Sequence, residues 1–290
     1  MTRSNTARRE GFSRTELTVV IALGFLGLGL LVPAIYAARQ QPAARTITIN
    51  NLRQIVIACH NHHDTYKKFP PAYDKWPGFK TNATVHVYIL PFIEEGKLYN
   101  LYRTEGGGGE RDKAVVEPFL SPMDKTNPKP AAGIQNFAAN LRVFGDSKVK
   151  ENAAVTLADT MNANARMPGH FTSGTSNCVF FATKYGVCGK GGSRYASPPK
   201  SDTAAFFGQN VAKVAAAPAD PTATFQTMPN DTQCVCSPAL PQSYEATGLF
   251  VAMGDASTRS VSPRVSPQVW NLVITPSHAQ PIAADWNNPK

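Results

Sequence analysis

His60, His62, His63 and Asp64 form the densest group of metal-binding side chains in this 290-residue chain. On a helix His60, His63 and Asp64 share a face at three- and four-residue spacing, and two imidazoles with a carboxylate suit a divalent ion. No further ligand stands nearby at motif spacing. Histidines close to a helix C-terminus also interact favourably with its dipole, so a structural cap leading into Phe69-Pro70-Pro71 is the competing reading. No metal and no cofactor is assigned on this pattern.

Other chemistry is more thinly signalled. Ser176, in Gly174-Thr175-Ser176-Asn177, does not follow the G-x-S-x-G pattern, and no ordered Ser, His and acid set accompanies it. It reads as a turn hydroxyl, and the chain is not read as an enzyme. Gly189-Lys190-Gly191-Gly192-Ser193 lacks the spacing of a phosphate loop. Asp124, Asp159 and Asn177 offer oxygen ligands for calcium without EF-hand spacing. Cysteines stand at 59, 178, 188, 234 and 236, an odd number, so at least one is unpaired or bonds between chains. Cys178 and Cys188 flank a short turn and are expected to close a small disulfide loop. Cys234 and Cys236 are too near each other to pair comfortably, and Cys59 is expected to stay a free thiol. A zinc site would need a second close pair, which Cys-x-Cys with two distant thiols does not supply.

Glu16 is the acid whose position asks most for an explanation. It heads an otherwise uncharged run at positions 17–38, 22 residues long. As a helix that run reaches about 33 Å, enough for a bilayer core of about 30 Å. An acid at the centre of a membrane helix costs about 2.5 to 3.5 kcal/mol, so one at the head of such a run implies a use. Arg3, Arg8 and Arg9 outnumber Glu10 ahead of the run, which keeps the amino end cytoplasmic. The expectation is a single-pass inner-membrane protein with an extracytoplasmic C-terminal head.

The elements that must hold these groups read as α+β. Ile49, Leu52, Ile55, Val56 and Cys59 recur at helical spacing, so a long first helix continues from the apolar run to about His63, with Pro33 and Pro42 loosening it. Residues 84–90, 178–183, 249–253 and 259–261 are predicted strands of an antiparallel sheet, and 94–102 and 267–273 short helices on it. Segment 196–242, rich in Ala, Pro, Thr and Ser with seven prolines, reads as a long insertion. The formal charge of +9 falls to +7 without the three Arg and one Glu of the first eleven residues. The remaining basic residues are scattered, so no nucleic-acid partner is expected.

Gly11-Phe12-Ser13-Arg14-Thr15-Glu16 resembles a type IV prepilin-like signal: a short basic leader, a Gly, then Phe as first and Glu as fifth mature residue. The resemblance implies cleavage after Gly11 by a prepilin peptidase and methylation of the Phe12 amine. It also implies that Glu16 neutralises the Phe12 amine of a neighbouring pilin-like subunit, since a paired charge in lipid costs far less than a lone one. Pro33 falls where pilins carry a helix-loosening proline. The domains expected are a leader at 1–11, a membrane and assembly helix at 12–38, its amphipathic continuation at 39–66, and a head at 67–290.

Further along, Asn50-Asn51-Leu52-Arg53-Gln54-Ile55, His60 to Asp64 with Phe69-Pro70-Pro71, and the stretch VHVYILPFIEEGKLY resemble a pilin-like bacterial family, domain of unknown function 1559. Phe119-Leu120-Ser121-Pro122, Gly174 to Asn177, 249–255 and Pro267-Gln268-Val269-Trp270 continue the match. That family is also called His-x9-Asp-Gly, and here the motif departs: Glu245 stands at the His, Asp255 is kept, and Ala256 replaces the Gly. If the His and Asp serve a ligand in relatives, Glu245 and Asp255 would have to serve it here, whereas the simpler reading is a turn between two strands. Ala256 would resist any positive φ that the Gly supplied. Ser121 likewise stands where a Cys is usual.

These readings together predict an exported pilin-like or pseudopilin-like subunit, assembled through its first helix into a type II secretion or type IV pilus-like structure. The alternatives are a membrane-anchored envelope module that binds polysaccharide or protein and, behind it, a hydrolase.

Overall fold

The computed structural model describes residues 13–145, 165–189, 191–199, 203–208, 224–229, 236–278, 280–282 and 286. Two compact units divide the chain, Met1–Arg45 and Thr46–Lys290. Helix α1, Arg14–Tyr66, begins in the first and ends in the second. Its start is a reciprocal cap. The Ser13 amide donates to Glu16 Oε2 at 2.9 Å, and the Glu16 amide donates to Ser13 Oγ at 3.2 Å. This is the S-x-x-E capping box, written in the sequence as Ser13-Arg14-Thr15-Glu16.

In the second unit Leu52, Ile55, Val56 and Cys59 are fully buried, as the helical spacing predicts. They pack in one core with Phe137, Phe180, Phe181, Phe250 and Ala252. These last come from a five-stranded sheet whose strands are β3 (Phe137–Asn140), β4 (Val179–Thr183), β7 (Phe206–Phe207), β10 (Leu249–Met253) and β11 (Thr258–Val261). They are ordered β11-β10-β4-β3-β7. All pairings are antiparallel except β3 with β7, which is parallel, so the expected antiparallel sheet is a mixed one. Alternate residues of β10 face opposite ways: Phe250 and Ala252 join the α1 core, while Leu249, Val251 and Met253 join a second core with Trp270 and Val273 of α5 (Pro267–Val273). The sheet is therefore covered on both faces within an α+β unit.

Two predicted elements change. Residues 84–90 are not a strand: β2 (Ala83–Thr84) pairs with β1 (Tyr73–Asp74), and the chain then turns into α2 (Val85–Tyr88) and a 3-10 turn, Leu90–Ile93. Short apolar runs do not distinguish a strand from a buried helix. Here His86, fully buried, uses Nε2 on the Phe137 carbonyl 3.1 Å away. The 196–242 segment is more than an insertion, because it contributes β7 to the sheet and β8 (Gln226–Thr227), which pairs with β9 (Gln242–Ser243). Helix α3 (Gly96–Glu105) and α5 fall where short helices are predicted.

Among the described residues no helix is long and apolar enough to cross a membrane. The side chains at 24–40, on which most of the expected span falls, lie outside that set, as do Gly11 and Phe12. Pro33 lies within α1.

Candidate functional site

The end of α1 and the turn between β10 and β11 meet, and the singled-out residues fall around them. His60 Nε2 lies 2.7 Å from the Gly254 carbonyl, which can only accept, so that nitrogen carries the proton. The His60 ring stacks on Phe180 and meets Phe69 edge-on, with centroids 6.4 and 5.7 Å away. One turn on, His63 Nε2 accepts from the Met167 amide at 3.3 Å. Its Nδ1 faces Asp64 Oδ1 at 3.6 Å, beyond hydrogen-bonding reach. His62 turns away into Tyr66, Trp76 and Phe92, and burial pushes its imidazole down to about 4. His60 and His63 thus each spend a ring nitrogen on backbone. Among the described residues no group of three or more His, Cys, Asp or Glu is assembled to hold a metal.

The turn itself is closely built. Gly254 donates to the Cys178 carbonyl at 2.9 Å, and a Cβ on it would meet the Phe180 ring at 2.4 Å. Asp255 Oδ1 accepts from the Ser257 amide at 2.8 Å, so this carboxylate shapes the turn. Ala256 sits at φ +63, the left-handed conformation that a Gly would occupy without strain. Glu245 does not belong here. It forms a bridge with Gly248 before β10, and Thr247 donates to its Oε2 at 3.1 Å. From Gly248 to Gly254 an extended strand covers roughly 20 Å. Glu245 and Asp255 are therefore at opposite ends of β10 and cannot share a ligand.

The disulfide joins Cys188 to Cys236, with a Cα separation of 5.4 Å, and not Cys178 to Cys188. Cys178 is free and buried, as is Cys59. Between the two thiols the chain runs out through the five extended residues of β4, roughly 16 Å of strand, before it turns, and Cys188 then pairs with Gly191 and bonds Cys236. Cys234 lies outside the described residues. Ser176 is in a 3-10 turn, Thr175–Asn177, and its carbonyl accepts from Arg259 at 3.2 Å.

Asp124 is the hub of a buried network that the sequence pattern does not announce. Oδ1 accepts from the amide and hydroxyl of Thr126 at 2.9 and 2.7 Å, and Oδ2 from Asn136 Nδ2 and the Gly186 amide, both at 2.6 Å. Four donors saturate the carboxylate, which removes the calcium reading; Asp159 lies outside the described residues. Burial pushes Asp124 up, against these bonds. Asn136 also binds Asn127 and the Lys184 carbonyl, and Tyr244 donates to that carbonyl at 2.8 Å. Lys184 is fully buried, its Nζ directed at the carbonyls of Ala204 and Phe206 at 2.5 and 3.4 Å; burial pushes the amine down to about 7.

The network holds the loop 115–131, and between this loop and α1 lies a cleft of about 980 Å³. Thr48 and Ser121 hydroxyls meet at 2.7 Å, and Asn51 donates to the Leu120 carbonyl at 2.9 Å. Ser121 thus fastens the loop to α1. Ile47, Val115, Leu120 and Pro122 line the cleft, with Lys125 and Lys129.

A family model described as Protein of unknown function (DUF1559) matches residues 37–268. No curated protein and no solved structure matches the chain.

Proposed function

This chain belongs to the DUF1559 family, and we propose that it acts as an exported pilin-like subunit, held in the inner membrane and assembled with other copies through α1. The observation that carries the reading is the start of that helix. Leu17, Val19, Ile21 and Leu23 are all exposed on it. Two residues apart on a helix, they fall on opposite sides of it, and large apolar side chains exposed all round a helix call for lipid or other helices. Glu16 accepts from the Ser13 amide, and Ser13 follows in sequence the residue whose amine cleavage after Gly11 would create. A prepilin peptidase, the inner membrane and neighbouring pilin-like subunits are the partners of this reading.

Intact mass and N-terminal peptide analysis of the protein purified from its membrane tests it. A mature chain beginning with methylated Phe12 is expected, and one beginning at Met1 overturns the processing step. The cleft beside α1 favours a second reading, an anchored binding module, which requires saturable binding of an envelope polysaccharide or protein by the full chain.

A further inference from the structure

We propose, resting on the processing and assembly reading above, that Ser13 is a positioning residue for the Glu16 charge pair: it aims the carboxylate toward the amino end of its own helix and leaves one oxygen open to receive an amine. Glu16 Oε2 accepts from the Ser13 amide at 2.9 Å, and neither carboxylate oxygen has another bonded partner among the described residues. Oε1 is open, on an exposed residue.

Direction follows from the helix. Cα–Cβ bonds tilt toward a helix N-terminus, and the Ser13 amide catches the side chain of the third helical residue on that side. The Glu16 amide donates in return to Ser13 Oγ at 3.2 Å, and the Leu17 amide donates to the Ser13 carbonyl at 3.0 Å. Ser13 therefore spends its amide, its hydroxyl and its carbonyl on the same four-residue turn. In sequence Phe12 precedes it, the residue whose amine cleavage after Gly11 would create. The carboxylate is thus held at the end of the helix to which the new amine belongs.

Holding it matters because a Glu side chain loses rotamer freedom when a charge pair fixes it. A carboxylate already fixed by its own chain needs less ordering when a neighbour's amine arrives, so pairing is tighter. The donor chosen is a neutral amide. It orients the carboxylate without cancelling its charge, which a Lys or Arg in that place would do, and among the described residues Glu16 makes no ion pair.

Cross-linking of the full chain in native membranes tests this, with Ile21→Cys as the reporter on α1 in a Cys234→Ser background. Ile21 is 49% exposed and stands clear of the cap. Dimer is counted per chain that begins at Phe12, measured by N-terminal peptide mass, so slower cleavage does not enter. Ser13→Ala, which removes the Oγ acceptor, is expected to lower the dimer about fivefold, the size typical of a lost N-cap, and Ser13→Thr to restore it. Ser13→Ala is then made beside Glu16→Ala, where the side chain to be aimed is gone. An effect that acts through the carboxylate disappears there, whereas one that acts through the helix start itself persists. No further fall is expected in that background. An equal fall in both backgrounds, or an undiminished dimer in Ser13→Ala alone, overturns the positioning role while assembly stands. If the Ile21→Cys chain with no change at Ser13 or Glu16 gives no dimer, the assembly reading fails and the positioning role falls with it.

Discussion

His60 and Gly254, 194 positions apart, are joined by a 2.7 Å hydrogen bond that pins the end of α1 to the β10–β11 turn. The bond is worth about 0.5 to 1.5 kcal/mol and the stacking on Phe180 a similar amount. His60→Ala is expected to destabilise the folded chain by about 2 kcal/mol, and His60→Phe, which keeps the ring, by about 1. Urea unfolding of the full chain in detergent measures both; midpoints equal to the unsubstituted protein would remove the pin from the account.

Ala256 adopts φ +63 in the same turn. Gly at this position relieves the strain but adds freedom to the unfolded chain, so Ala256→Gly is expected to gain only about 0.5 to 1 kcal/mol. For a head of this size that is a rise in Tm of about 2 °C, read by thermal melting. A fall in Tm would contradict the left-handed turn.

Lys184 gives stability a pH dependence of defined sign. In the folded chain burial lowers its amine from 10.5 to about 7, so between these values the unfolded chain binds more protons. Stability from this residue is fully present above pH 10.5, declines as pH falls, and is lost below about pH 7, on the order of 5 kcal/mol in all. Lys184→Met is expected to flatten the slope between pH 7 and 9 and to stabilise the protein at pH 6. An unchanged slope in urea titrations across that range would show that the amine keeps its proton.

Glu16 both caps α1 and carries a charge, and two substitutions separate the roles. Gln keeps the reciprocal bonds of the capping box, whereas Ala removes them. If charge pairing with Phe12 drives assembly, Glu16→Gln lowers cross-linked oligomer as far as Glu16→Ala does, with export unchanged for both. Full assembly of the Gln variant would assign Glu16 to the cap alone.

Legibility followed the range over which a pattern is written. Leu52, Ile55, Val56 and Cys59 declare their helix because period and burial coincide within two turns, and β10 is announced by its apolar run. β3, Phe-Ala-Ala-Asn, carries little strand propensity and exists because β4 and β7 flank it. The Asp124 hub draws on Thr126, Asn136 and Gly186, up to 62 positions away, and no local spacing records such a convergence. The Cys178–Cys188 expectation failed for the same reason: nearness in sequence ignores the extension of the strand between.

The sheet ends on one side with β7, only two residues long, and on the other with β11, which places Arg259 and polar neighbours on the outer strand. One rim this short and the other this polar offer poor templates for adding a foreign strand, so the unit is protected against runaway β-stacking when many copies are crowded together. Association between copies is thereby left to side chains and helices, where it can be specific and reversible.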